Sequence, residues 1–175
     1  DHGRRQDGRN ALMTDAAPAI FVAIEGSAFA AAIRQSPYAY MAANVVHILS
    51  LMIFFSAVAV MDLRLAGFFS TTWPGSILRR ARVIAMLGFV GLLASGGMLF
   101  AAEASHIVQN PLFRIKLILI VLGLINIGWF EIAVASKVRD LQPLTQMPAA
   151  ARIIGVASIV IWLGVAASGR LIAYF

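Results

Sequence analysis

Four apolar runs, at about 39–61, 83–103, 115–136 and 153–175, dominate the pattern of hydrophobic and polar positions along the chain. Each is close to the ~20 residues that an α-helix needs to cross a hydrocarbon core about 30 Å thick, and each is almost free of charge. Turn-forming stretches separate them: Trp73-Pro74-Gly75 in the first connection, Gln142-Pro143 with Pro148 in the third. Upstream, residues 16–34 have helical character, with Asp15 as a candidate N-cap and Pro18 tolerated in the first turn. That stretch carries Glu25 and Arg34, is short for a span, and reads as a helix lying in the membrane surface. Ser36-Pro37 then turns the chain into the bilayer. Residues 1–15, with three Arg and three Asp and no apolar period, read as a disordered tail. No long apolar run follows Arg4-Arg5 closely, which argues against a twin-arginine signal, and Met13 is an alternative start. The expected fold is all-α: a polytopic four-transmembrane-helix antiparallel bundle over 36–175, preceded by an interfacial amphipathic helix at 16–35.

Composition agrees with the pattern. The chain is 61% hydrophobic and only 13% charged, with a mean hydropathy of +0.86, far from the balance of a soluble domain. The bilayer is therefore the first expected partner. With no cysteine among 175 residues, disulfides, thiolate ligands, iron–sulfur clusters and c-type haem attachment within the chain are excluded. The net charge of +6 follows loop topology, without the continuous basic, aromatic-studded surface of a nucleic-acid binder. Arg64, Arg79, Arg80 and Arg82 lie around the first connection, and Lys137, Arg139 and Arg152 around the third. The positive-inside rule puts both connections in the cytoplasm, so both termini face the periplasm of a bacterial inner membrane.

Within each span the residues that do not belong in lipid share a face at helical spacing. The stripes are Asn44, His47, Leu51, Phe54; Gly88, Gly91, Ser95, Met98, Ala102, His106; Lys116, Gly123, Asn126, Phe130; and Gly155, Ser158, Trp162, Ala166, Arg170. Close backbone packing accounts for most of the small residues, and the aromatics near span ends read as interfacial belt residues. His47 and Arg170 are different. Counting at ~1.5 Å per residue from Asp62 and Arg152 puts them about 22 and 27 Å up, in the outer half of the core, where an ionisable group needs a partner. His106 and Lys116, about 36 and 34 Å up, belong at the outer interface, and Met98 at about 24 Å is level with His47.

Haem b fits this set as a cofactor. His47 is the metal ligand, His106 or Met98 the second ligand, Gly91 with Gly96 and Gly97 makes room for the ring, and Arg170 and Lys116 meet the propionates. The height difference of roughly 14 Å disfavours His106 against Met98. A quinone pocket built from His47, Tyr40, Trp162 and Arg170 is a second possibility. The cytoplasmic half of every span is almost wholly apolar, which argues against a channel, and no repeat points to a transporter.

The run IRQSPYAYMAANVVHILSLMIFFSAVAVMDLRLAG, then NPLFRIKLILIVLGLIN, then GRLIAYF resembles a family of uncharacterised bacterial four-helix membrane proteins. The layout is more distantly similar to copper-resistance inner-membrane proteins and membrane protoporphyrinogen oxidases, which place a histidine early in one span and a lysine in a later one. The resemblance implies a haem-associated or redox membrane protein and assigns no reaction. The resulting expectation is a membrane-embedded redox or haem b-binding protein acting as an electron-transfer or anchor subunit, without catalytic residues of its own. The alternatives are a non-catalytic accessory subunit of a larger membrane complex, its polar residues serving assembly with other membrane subunits, and a quinone-binding protein.

Overall fold

A computed structural model describes residues 17–172. The tail, Met13, the Asp15 cap and Tyr174 lie outside these residues. The helices are α1 (Ala19–Glu25), α2 (Ala28–Gln35), α3 (Pro37–Ala66), α4 (Pro74–Ala102), α5 (Ala104–Ile107), α6 (Pro111–Ala133), α7 (Ala135–Arg139) and α8 (Ala149–Leu171). No strand occurs among the described residues, and α3, α4, α6 and α8 are each long and apolar enough to cross a membrane.

The chain starts its helices with small polar caps and prolines. Ser36 Oγ accepts from Ala39 N at 3.2 Å with Pro37 opening α3, and Asn110 Oδ1 accepts from Leu112 N at 2.9 Å with Pro111 opening α6. The expected surface helix divides at Gly26-Ser27, where Ser27 Oγ caps α2 by accepting from Ala30 N at 3.2 Å.

The helix ends at the first connection differ most from the apolar runs that announce them. α3 continues past position 61 to Ala66, and α4 begins at Pro74 rather than near 83, so Asp62, Arg64, Arg79, Arg80 and Arg82 are helical. Hydropathy marks where side chains turn polar, whereas a helix runs until its backbone is capped. The cap of α3 is Gly67 at φ 109°, with Phe68 N donating to Leu63 O at 3.0 Å and Gly67 N to Arg64 O at 3.2 Å. This is the left-handed Schellman closure that favours glycine.

α4 packs along α3, α3 along α8, and α8 along α6, while α4 and α6 make no extended contact with each other. The bundle is thus a curled ribbon with a seam between α4 and α6. Gly88 lets α3 and α4 approach closely, since a Cβ there would lie 2.7 Å from the backbone N of Phe54. One apolar cluster, including Phe54, Val58, Ala85 and Trp162, fills the middle of the ribbon. A second, including Leu65, Leu78, Phe130, Val138 and Ile154, lies toward the end that carries the α3–α4 and α7–α8 connections. That end also holds the arginine clusters and is called the basic end below.

The far end is closed by α1, α2 and α5. Arg34 Nη1 donates to Ala102 O at 2.9 Å, satisfying a carbonyl at the end of α4. Phe21 meets Phe100 edge-on at 6.0 Å between ring centres, and Phe100 stacks on Phe113 at 5.5 Å. Glu25 Oε2 accepts from Ser105 N at 2.8 Å and from the Ser105 hydroxyl. The two Ser105 hydrogen bonds, hydroxyl first, hold the Glu25 carboxyl below the usual range.

Candidate functional site

Two polar places occur inside the ribbon, one in its far half and one toward the basic end. The first is built on His47, which α3 turns toward α4. Its Nδ1 lies 3.0 Å from Ser95 Oγ. The Ser95 hydroxyl proton is already committed, because Ser95 Oγ donates to Gly91 O at 2.6 Å, one turn back on the same helix. Ser95 Oγ must then accept from His47, so Nδ1 carries the hydrogen and the neutral ring keeps its lone pair on Nε2. Glycines make the space: a Cβ at Gly96 would lie 3.1 Å from His47 Cε1, and one at Gly91 would overlap Ser50 Oγ. Lys116 is half-buried, within electrostatic reach of His47, and occupies a niche left by Gly169, where a Cβ would lie 3.2 Å from its Nζ.

The other residues singled out in the sequence are more dispersed. Met98 is half-buried on α4, one turn beyond Ser95. His106 is exposed on α5 and acts electrostatically on Glu25, which puts it in the far-end cap. Arg170 is exposed near the end of α8, next to Gly169. Tyr40 donates to Glu103 Oε1 at 3.3 Å, and Asn44 donates back to Tyr40 O at 3.2 Å. Among the described residues, no three His, Cys, Asp or Glu side chains gather.

Trp162 belongs to the second place. A cavity of about 350 Å³ lies between all four long helices toward the basic end. Phe54, Phe89, Phe130 and Trp162 supply aromatic wall, and Asp62, Asn126 and Ser158 the polar groups. Trp162 is held edge-on to Phe54 at 4.6 Å between ring centres, and Gly123 makes its seat, since a Cβ there would lie 2.9 Å from Cζ2. Asn126 Nδ2 donates to Ile154 O at 3.2 Å and so is satisfied across α6 and α8. Asp62 and Trp162 are not. Both are 5% exposed, Ser158 acts on the Asp62 carboxyl, and Asp62 Oδ2 and Trp162 Nε1 have no hydrogen-bond partner.

Buried polar atoms are nearly always paired, so two orphans on side chains that line one cavity need an explanation. At the cavity's edge Met86, Leu124 and Ile127 are exposed on the apolar outer surface, so the space opens sideways through the α4–α6 seam. At its basic end an ion pair spans the seam, Arg82 Nη2 to Glu131 Oε1 at 2.6 Å. Such a cavity can take an apolar molecule from the bilayer and offer its polar head one N–H donor and one carboxyl group.

The family described as a family of unknown function (DUF6644) matches residues 20–175, nearly the whole chain. The chain belongs to the DUF6644 family. No curated protein and no solved structure matches it, so the likeness in layout to copper-resistance proteins and protoporphyrinogen oxidases gains no support.

The inner cavity was partly legible in this DUF6644 sequence. Phe54, Val58 and Asp62 follow one another at i, i+4 and i+8 and prolong the His47 stripe, and Ser158 and Trp162 share a stripe on α8. Asp62 is missed when the apolar run is taken to end the helix. Its burial corrects the reading of the basic half as almost wholly apolar.

Proposed function

We propose that this DUF6644 protein binds a lipid-soluble quinone in the cavity between α4 and α6. The observation that carries the reading is that Trp162 and Asp62, which line one aromatic-walled space opening toward the lipid-facing surface, each carry a buried polar atom without a partner, Nε1 and Oδ2. An indole N–H donates to a quinone carbonyl. A carboxyl donates to a carbonyl when protonated and accepts from a quinol hydroxyl when ionised, so one residue serves both redox forms of the ligand. Phe54, Phe89 and Phe130 offer the faces and edges that planar rings favour. The positive-inside rule places this cavity nearer the cytoplasmic side of a bacterial inner membrane. Electron exchange then involves other membrane subunits.

The test is the ligand itself. Protein purified from bacterial membranes, extracted with organic solvent and chromatographed, carries quinone in near-stoichiometric amount, and Asp62→Asn and Trp162→Phe each lower the retained amount. Purified wild type without quinone, together with no saturable binding of added short-chain quinone, refutes the reading.

A haem b at His47 is the second reading, favoured by the lone pair that Ser95 leaves on Nε2. Met98 or His106 would be the second residue to hold it, and Met98 is nearer along the chain to Ser95 than His106. A Soret band lost in His47→Ala supports it, and a featureless visible spectrum of protein grown with haem supply removes it.

A further inference from the structure

We propose that the basic end carries a phosphate-binding pocket centred on Arg64, separate from the quinone cavity and independent of it. Arg64 is 0% exposed, yet its Nη2 meets only a neutral acceptor, Thr72 O at 3.0 Å, and its Nε has no partner. Arg82 with Glu131 is the ion pair among the described residues, and Arg64 takes no part in it. A guanidinium covered from water without a counter-charge is left unfavourable, and an anion that completes it relieves that cost.

The space for that anion is present. A pocket of about 390 Å³ is lined by Arg64, Arg152, Ser70, Thr145 and Gln146. Arg152, which is exposed, supplies charge and forked donors, the covered Arg64 adds its charge at the pocket wall, and two hydroxyls and an amide supply further donors, the set that recognises phosphate oxygens. The carboxyl nearest in sequence, Asp62, lines the other cavity.

The backbone around this pocket is unusual in the same sense. Phe69 at φ 55° and Leu144 at φ 66° are non-glycine residues in the left-handed region; Phe69 lies between the pocket residues Phe68 and Ser70, and Leu144 lines the pocket itself. Leu144 N donates to Ser70 O at 2.7 Å, which ties the α3–α4 connection to the α7–α8 connection across the pocket rim. Strained backbone of this kind persists where surrounding structure enforces it, commonly at ligand sites. Phe68, Phe69, Trp73 and Leu144 are exposed around the same end. Apolar and aromatic residues at that level seat in the headgroup region of a bilayer, so a phospholipid phosphate and a soluble phosphate can both reach the pocket.

The experiment uses the full chain in a neutral detergent and follows its thermal unfolding. Inorganic phosphate, short-chain phosphatidylglycerol and phosphatidylcholine of the same chain length are titrated separately. A saturable stabilisation by phosphatidylglycerol with none by inorganic phosphate assigns a lipid head group. Stabilisation by inorganic phosphate, with the two lipids alike, assigns a soluble phosphate, and either result supports the pocket. Arg152→Gln, at an exposed position, is expected to weaken the effective ligand by about tenfold, the loss of one charge-assisted contact. Arg64→Met removes the response while raising stability without ligand, because it replaces an uncompensated charge by an apolar side chain. No saturable stabilisation by any of the three, or a response unchanged in Arg152→Gln, overturns the proposal, and the second criterion stands even where Arg64→Met does not fold.

Discussion

Replacing Trp162 by Phe separates packing from ligand binding, because the two losses differ in size. Trp162 is 5% exposed and sits edge-on to Phe54, a contact that a phenyl ring retains in part. Truncating the indole leaves a void on the order of 40 Å³, which at about 24 cal/mol per Å³ costs about 1 kcal/mol. Against that, Nε1 is an orphaned donor in the ligand-free protein, and deleting it relieves a desolvation penalty. In a membrane the relief is small, since separated helices in lipid hide the group too, and interhelical hydrogen bonds there average about 0.6 kcal/mol. The ligand-free variant is therefore expected to lose no more than about 1 kcal/mol of stability.

Binding of quinone is expected to weaken by about tenfold, the equivalent of one neutral hydrogen bond of ~1.4 kcal/mol. Stability is measured by reversible unfolding in mixed detergent micelles, and binding of a short-chain quinone by titration calorimetry, since the substitution removes the fluorophore in the cavity. Unchanged quinone affinity in the variant refutes the assignment of Nε1 to the ligand. A loss of about 3 kcal/mol or more without ligand, the range for removing a whole core aromatic, would mean that Trp162 is there for packing.

Two further outcomes test the frame that holds the cavity. Gly88→Ala places a Cβ 2.7 Å from the Phe54 backbone N and 2.9 Å from its Cα, so α3 and α4 must separate. Overpacking of about 1–3 kcal/mol outweighs the ~1 kcal/mol gain in helix propensity, whereas Gly97→Ala gains propensity only. At Gly97 a Cβ meets nothing within 4 Å, and equal unfolding midpoints for the two variants would contradict the close α3–α4 contact.

At the far end, Glu25 is held ionised by Ser105, so its folded value lies below the ordinary 4.5. The stabilisation is present above that ordinary value and is lost as pH falls through the lower folded one. The Ser105 amide resonance should titrate with a midpoint below 4.5 in wild type and stay fixed in Glu25→Gln. A midpoint at or above the ordinary value refutes the contact.

The sequence by itself determined the solvent, the number of long helices and much of which residues face inward, although His106 and Arg170 of the expected stripes are exposed. Those properties depend on local periodicity and on the cost of polar groups in hydrocarbon, both readable along one strand of text. Gly123 and Phe130 are buried on α6, and Gly155, Ser158 and Trp162 on α8, each within a stripe set by helical spacing alone. His47 stood out for the same reason.

Only the tertiary structure decided how the stripes meet. Because α3 runs on to the Gly67 cap, Asp62 and Arg64 leave the connection and become buried, one in the α4–α6 cavity and one in the pocket at the basic end. The ribbon order α4, α3, α8, α6 joins His47 to Ser95 but gives Trp162 to Asp62, and holds His106 in the far-end cap. Such pairings depend on helix order, on lateral packing and on which glycines permit close approach. A hydropathy pattern, which describes one helix at a time, carries none of them.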